Sequence, residues 1–174
     1  MKFRYLFFLA FFWLTSSFSQ NNSASNNTTI ESTTYYFVRH AEKDRSDPSD
    51  RNPHLTEKGE LRSKKWSEIL KNVKFDAVYS TDYNRTRETA QPTASKNSVE
   101  ITLYDPRNID ITEFKEKTKG KTVFIVGHSN TTPTFVNQIL GYHKYEDIDD
   151  NNNGNLYIVT IAGTVITDQL LTIN

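Results

Sequence analysis

Segments typical of β-strands alternate with segments typical of α-helices along most of the chain, and this alternation limits the folds it can adopt. Runs rich in β-branched and aromatic residues occupy 34–38, 75–80, 100–103 and 122–126, and that composition favours strands. A helix-like segment follows each run. The pattern predicts a largely parallel sheet with helices on both faces and right-handed crossovers, which is a three-layer α/β/α sandwich.

Capping residues and glycines predict where the helices begin and end. Thr56 is expected to cap the first helix, and the second should end within 92–96. Gly120 suits the end of the third helix, and Thr132-Pro133 indicates a cap followed by proline at the first position of the last helix. The buried stripe of the first helix is expected from its large apolar side chains: Leu61, Trp66, Ile69 and Leu70.

The end of the chain and two polar segments complete the predicted topology. Two β-like runs, 156–162 and 164–173, meet at Gly163 and predict an antiparallel C-terminal hairpin at one edge of the sheet. Residues 44–53 and 144–155 are rich in Asp, Asn and other polar residues, which is typical of exposed loops. We expect these two loops to determine which substrate the protein accepts.

The N-terminal segment has the composition of a secretory signal peptide. Lys2 and Arg4 precede an apolar run of about ten residues, and small residues follow it up to Ser19. Because a bilayer span needs roughly 20 apolar residues, we expect cleavage after residue 19 rather than a permanent membrane span. Residues 20–33, rich in Asn, Ser and Thr, are expected to form a flexible lead-in, and 34–174 to form one domain.

Charge and cysteine content exclude several classes of protein. Loss of Lys2 and Arg4 would change the formal charge from 0 to −2, so nucleic acid is not an expected partner. The chain contains no cysteine, which excludes disulfides and a lipid anchor on cysteine. The export signal predicts a periplasmic or secreted protein, and the oligomeric state stays open.

Four cationic or titratable side chains lie at or just past the ends of predicted strands. Arg39 and His40 end the first strand, Arg85 follows the second, and His128 follows the clearest strand at 122–126. Because the carboxyl ends of parallel strands meet at one edge of a sheet, we expect these four side chains to lie together. This convergence predicts a site at that edge.

Two arginines and two histidines suit phosphoryl transfer. Guanidinium groups bind phosphate oxygens through paired N–H donors and stay charged at any working pH. A neutral imidazole can attack phosphorus, whereas a serine hydroxyl would need a separate base. A second, protonated imidazole would stabilise the charge that develops on the equatorial oxygens. A nearby carboxylic acid would protonate the leaving alkoxide.

Three blocks of this sequence resemble the signature blocks of the histidine phosphatase superfamily, which has the phosphoglycerate mutase-like fold. They are VRHAEK at 38–43, YSTDYNRTRETA at 79–90 and VGHSN at 126–130. The small size is most similar to the short bacterial branch that includes SixA. The resemblance implies that His40 is the phosphorylated nucleophile. It also implies that Arg39 and Arg85 hold the phosphoryl group and that His128 completes the pocket.

The resemblance leaves the proton donor open. Asp105, in the segment Leu103-Tyr104-Asp105, occupies the place of the mutase-branch glutamate and is the first candidate. Glu42, which could instead orient Arg39 or Lys43, is the second. Ser129 follows His128 where the phytase branch has an Asp, which argues against that branch. Ser129 and Asn130 could donate to phosphate or cap the following helix.

The resemblance predicts a metal-independent phosphoric monoester hydrolase of the histidine acid phosphatase type, without a cofactor, acting on a small phosphorylated substrate of unknown identity. One alternative is a phosphatase-like protein that binds phosphorylated ligands with little catalysis. Others are a phosphohistidine protein phosphatase and a phosphotransferase of the phosphoglycerate mutase type, although only a short stretch separates Pro92 from Asp105, where mutases have an insertion. A divalent metal held by the two histidines with Asp105 or Glu42 is the chemical alternative.

Overall fold

The computed structural model describes residues 31–173. The predicted signal peptide and most of the predicted lead-in, up to residue 30, lie outside the described residues. Among the described residues, no helix combines the length and the apolar character needed to cross a lipid bilayer.

Within residues 31–173, six strands and four helices follow one another in the order that the sequence predicts. The elements in chain order are β1 (Ser32–Arg39), α1 (Glu57–Ile69), β2 (Ala77–Ser80), α2 (Asn84–Asn97), β3 (Ile101–Leu103), α3 (Ile111–Lys117), β4 (Thr122–Gly127), α4 (Thr131–Leu140), β5 (Asn155–Ala162) and β6 (Val165–Thr172).

The strands form one sheet in the order β3-β2-β4-β1-β5-β6. Strands β1 to β4 pair in parallel, while β5 pairs antiparallel with β1, and β6 antiparallel with β5. The hairpin of β5 and β6 turns at Gly163, whose φ of 61° lies in the left-handed region that glycine adopts without strain. The α/β sandwich and its C-terminal hairpin are therefore confirmed.

Side chains that alternate along the strands pack into two apolar cores, one on each face of the sheet. On β1, Tyr35 and Phe37 pack with α3 and α4, whereas Val38 packs on the opposite face with α1 and α2. Trp66 of α1 is 1% exposed in this second core. Burial on both faces explains why the central strands are continuous apolar runs rather than alternating ones.

The sheet order places the ends of three strands side by side. In the paired register, Arg39 at the end of β1 lies opposite Gly127 of β4, and Ser80 of β2 lies opposite Val126. The residues that follow these strands, His40, Thr81 and His128, therefore emerge together at the carboxyl edge.

The first helix differs from the expected pattern. Thr56 caps α1 as predicted, because its hydroxyl accepts a hydrogen bond from the Gly59 backbone. The predicted stripe is half wrong: Leu61 is 61% and Ile69 42% exposed. The buried face consists of Trp66 and three small residues, Gly59, Ser63 and Ser67. Small side chains let this helix approach its neighbours closely, which apolar periodicity does not reveal.

Three boundaries also differ from the predictions. Strand β1 begins at Ser32, two residues before the expected start of the fold near Thr34. Helix α2 continues past Pro92 and ends only at Asn97. Asn130, not Thr132, caps α4, and its side chain accepts a hydrogen bond from Thr131. Pro133 therefore lies at the third helical position, where its missing N–H would have no partner within the helix in any case.

Candidate active site

A cavity of about 690 Å³ opens at the carboxyl edge of the sheet, where β1, β2 and β4 end. In the part of the chain that the structure describes, its walls contain four cationic residues, two histidines and three aspartates among polar and aromatic neighbours. The lining residues are Arg39, His40, Lys43, Thr81, Asp82, Tyr83, Arg85, Tyr104, Asp105, Pro106, Arg107, His128, Ser129, Asn130, Thr131 and Asp150. The four side chains expected at this edge are all among them.

Arg39 is only 2% exposed, and the turn at 149–152 holds much of its guanidinium. Its Nη1 donates to the carbonyls of Asp149 (2.8 Å) and Asn152 (3.2 Å), and its Nη2 donates to Oδ1 of Asp150 at 2.5 Å. Its Nε–H is buried without a partner among the described residues. Arg39 is therefore fixed on one side and keeps an unused donor.

The imidazole of His40 is held in one tautomer. Nδ1 lies 2.7 Å from the carbonyl oxygen of Ala41. Because a carbonyl can only accept, Nδ1 carries the hydrogen and Nε2 keeps its lone pair in the neutral ring. Burial lowers the pKa of His40 to about 3, although the Ala41 hydrogen bond opposes the shift and the charges of Arg39 and Arg85 reinforce it. Near neutral pH the ring is therefore unprotonated, with a free lone pair on Nε2.

His128 lies beside His40, with ring centroids 5.5 Å apart, and is bonded at both nitrogens. Nε2 lies 2.9 Å from Oγ1 of Thr81, which donates in turn to Thr86. Since that hydroxyl hydrogen is used, Nε2 of His128 must be the donor to Thr81. Nδ1 then accepts from Nη2 of Arg85 at 3.4 Å. Burial, together with the charge of Arg85, lowers the pKa of His128 to about 4.

Arg85 stands at the beginning of α2, with its Cζ 4.5 Å from the ring centroid of Tyr83. Its Nε and Nη1 are buried without hydrogen-bond partners among residues 31–173. A buried donor without an acceptor costs roughly 1–3 kcal/mol. Arg39 and Arg85 both line the cavity, and together they leave three guanidinium nitrogens without an acceptor among the described residues, an arrangement that an oxyanion would satisfy.

The structure brings Asp105 to the cavity wall but occupies its carboxylate locally. The carboxylate accepts hydrogen bonds from the Arg107 backbone at 2.9 Å and the Asn108 side chain at 2.7 Å. The Arg107 and Asn108 hydrogen bonds lower the pKa of Asp105. In this arrangement Asp105 is ionised near neutral pH, and it would have to take up a proton before it could act as an acid.

The structure does not bring Glu42 to the cavity lining. Its carboxylate receives three hydrogen bonds of 2.9–3.0 Å from Arg62 and lies 3.4 Å from Nζ of Lys58. Partial burial would raise the pKa of Glu42, but the hydrogen bonds and charge of Arg62 outweigh it and hold the pKa below its usual value. In this position Glu42 connects the segment after β1 with α1.

Ser129 and Asn130 both line the cavity, and each makes a hydrogen bond that supports the backbone around it. The Asn130 side chain caps α4, and the Ser129 carbonyl accepts from the backbone of Ile148. Within residues 31–173, no three His, Cys, Asp or Glu side chains come together as a candidate metal site.

Among the lining residues that contact the predicted site directly, Thr81, Tyr83 and Asp150 were not candidates from the sequence. Thr81 orients His128, Tyr83 packs edge-on to the His128 ring with centroids 5.0 Å apart, and Asp150 binds Arg39. Thr81 and Tyr83 belong to the second sequence block, so their position just after β2 was a usable signal. Asp150 lies in an Asp- and Asn-rich loop, where no pattern distinguishes it from its neighbours.

The fold defines a three-layer α/β/α protein whose site is built where β1, β2 and β4 end. The family model "Histidine phosphatase superfamily (branch 1)" matches residues 35–106. This match contains the first two sequence blocks. The match agrees with the resemblance to the histidine phosphatase superfamily that these sequence blocks show.

Solved structures share the fold at low sequence identity. An alpha-ribazole phosphatase from Shigella flexneri aligns with a TM-score of 0.64 and 13% identity, covering 80% of this chain and 96% of that one. The protein histidine phosphatase SixA, complexed with tungstate, aligns at 0.62 and 15%, covering 80% and 96%. A phosphoglycerate mutase from Bacillus anthracis aligns at 0.61 and 14%, covering 82% and 93%. Comparison with curated protein sequences gives no match.

Proposed function

We propose that this protein is an exported phosphatase that hydrolyses phosphomonoesters through a phosphohistidine intermediate on His40. One observation carries the proposal: His40 has an unprotonated Nε2 in a cavity where Arg39 and Arg85 offer buried, unpaired N–H donors. A nucleophile beside donors that lack an acceptor suits a group that is both electrophilic and anionic, and a phosphoryl group is both.

In the first step, Nε2 of His40 attacks phosphorus, the N–P bond forms and the bond from phosphorus to the ester oxygen breaks. Arg39 and Arg85 bind the equatorial oxygens, where the transition-state charge is spread. The Ala41 carbonyl accepts a hydrogen bond from Nδ1 of His40 and so stabilises the positive charge that develops on the ring. In the second step, water attacks phosphorus while the carboxylate of Asp105 takes up the proton that water loses, the N–P bond breaks and inorganic phosphate leaves.

Protonation of the leaving oxygen is assigned to Asp105. Of the two candidate proton donors, Asp105 lines the cavity and Glu42 does not. A bound phosphoryl dianion would raise its pKa by repulsion, because like charges in proximity favour the protonated carboxyl. His128 contributes a different function: its Nδ1 accepts from Arg85 in the free site, so uptake of a proton would convert it into a donor to phosphate.

The test is turnover of p-nitrophenyl phosphate by the purified mature chain with EDTA present. We expect activity that survives chelation, and a mass increase of one phosphoryl group on the protein trapped during turnover. Replacement of His40 by Ala should abolish both signals, whereas replacement of the exposed His143 by Ala should leave both intact. Loss of activity on chelation would favour metal chemistry, and phosphate binding without turnover would favour a binding protein.

A further inference from the structure

The turn at residues 149–152 is a preformed site for a guanidinium group. The backbone of Asn152 donates to the Asp149 carbonyl at 2.9 Å, and the backbone of Asn151 donates to the Asp149 side chain at 2.8 Å. These bonds direct the carbonyls of Asp149 and Asn152 toward Nη1 of Arg39. The turn is therefore ordered by its own hydrogen bonds in the arrangement that Arg39 needs.

Both ends of this turn are anchored next to the two histidines. Before it, the backbone of Ile148 donates to the Ser129 carbonyl at 2.8 Å, one residue after His128. After it, the side chain of Asn153 donates to the His40 carbonyl at 2.8 Å. Ile148 and Asn153 are both buried. The turn is thus fixed relative to the site rather than hanging over it.

The carboxylate of Asp150 adds a negative charge to this guanidinium site. Its Oδ1 accepts from Nη2 of Arg39 at 2.5 Å, while its Oδ2 lies 2.7 Å from Nη2 of Arg45. Arg39 is 2% exposed, whereas Asp150 is 62% exposed. A buried guanidinium that lacked a counter-charge would be costly. The hydrogen bond and charge of Arg39, followed by those of Arg45, lower the pKa of Asp150.

We propose that Asp150 is a positioning residue that acts through Arg39 and sets the affinity of the site for a phosphoryl group. Asp150 and the two carbonyls hold Nη1 and Nη2, and the buried Nε–H remains for the ligand. Guanidinium binds phosphate best through two parallel N–H groups in a fixed orientation, so holding one side of the fork orients the other. This inference rests on the proposed function, because it assumes that the ligand is a phosphoryl group.

A purely electrostatic role for Asp150 predicts the opposite change in phosphate affinity when Asp150 is replaced, so one binding measurement separates the two roles. Asp150 carries a negative charge on the wall of a cavity that must attract an anion. Removing that charge should strengthen phosphate binding if Asp150 merely competes with the ligand for Arg39. Removal should weaken binding if Asp150 orients Arg39. The two roles therefore differ in the direction of one measured constant.

The experiment measures inorganic phosphate binding by titration calorimetry to the wild type and to Asp150→Ala and Asp150→Asn variants. The matched control is Asp147→Ala, which removes the same charge from an exposed position in the same loop. We expect about tenfold weaker binding in Asp150→Ala, equivalent to about 1.4 kcal/mol, a smaller loss in Asp150→Asn, and a change within about twofold in the control. Equal or tighter binding in both Asp150 variants would overturn the proposal.

Two further measurements separate positioning from folding and from the proposed activity. Thermal unfolding of each variant reports its stability, and Asp150→Asn, which keeps the shape of the side chain, decides the matter if Asp150→Ala does not fold. Partial recovery of phosphate affinity by Asp150→Glu supports orientation by the carboxylate. Wild type that binds phosphate but does not hydrolyse p-nitrophenyl phosphate would refute the proposed function and leave this inference testable. Wild type that binds no phosphate would overturn the inference.

Discussion

Burial of His40 should make the protein less stable as the pH falls, and the size of the effect can be estimated from the structure. The side chain is 4% exposed, and burial lowers its pKa from 6.5 to about 3. Above pH 6.5 the imidazole is neutral in both the folded and the unfolded chain and contributes little pH dependence. Below pH 6.5 the unfolded chain binds a proton that the folded chain does not, so stability is lost until the pH reaches about 3.

The magnitude follows from the two pKa values. At pH 5 an unfolded histidine with a pKa of 6.5 is almost fully protonated, and proton binding stabilises the unfolded chain by about 2 kcal/mol. Proton binding hardly stabilises the folded chain, because pH 5 lies far above the pKa of about 3 that His40 has in the folded protein. We therefore expect His40 alone to cost the protein about 2 kcal/mol of unfolding free energy between pH 7 and pH 5.

The assay is urea denaturation at pH 7 and pH 5 in buffers without phosphate, followed by the fluorescence of buried Trp66. The wild type should lose about 2 kcal/mol more between the two pH values than a His40→Gln variant, which has no group to titrate. His143→Gln, which removes an exposed imidazole, should behave like the wild type. An identical loss in wild type and His40→Gln would refute the assignment of a depressed pKa to His40.

Three other substitutions test the structure. Replacing Glu42 by Gln should cost about 1–3 kcal/mol of stability, because it weakens the hydrogen bonds to Arg62. The same change should leave kcat on p-nitrophenyl phosphate within about threefold. A 10²-fold drop in kcat without loss of stability would instead identify Glu42 as a proton donor. Replacing Thr81 by Val should reduce kcat/KM about tenfold, because it removes the hydrogen bond to His128. Replacing Thr81 by Ser should keep kcat/KM near the wild-type value. Turnover and pH–rate profiles of both variants would test this. Replacing Gly59 by Ala should destabilise the protein by about 1–3 kcal/mol in denaturant titrations, because the added Cβ would lie 2.2 Å from the Glu42 carbonyl oxygen. This effect should outweigh the better helix propensity of alanine. A stabilised variant would contradict this packing.

The sequence predicted the order and type of the elements because those depend on local patterns. The apolar runs of β1 and β4 indicate strands buried on both faces, and the hydroxyl of Thr56 indicates where α1 begins. Capping, glycine stops and burial periodicity act within a few residues. The helix faces were less predictable, because Gly59 and Ser63 are buried by contacts with distant segments.

For the site, the strand ends determined which four side chains meet, since parallel strands deliver their carboxyl ends to one edge and Arg39, His40, Arg85 and His128 follow such ends. Only the tertiary structure decided how each group is held. The tautomer of His40 depends on the carbonyl of Ala41, and the anchoring of Arg39 depends on three acceptors at 149–152, among them Asp150, which is more than 100 residues away in the chain. Such contacts leave no periodic signal in a sequence, because they require one correctly placed atom rather than a repeated pattern of residue types.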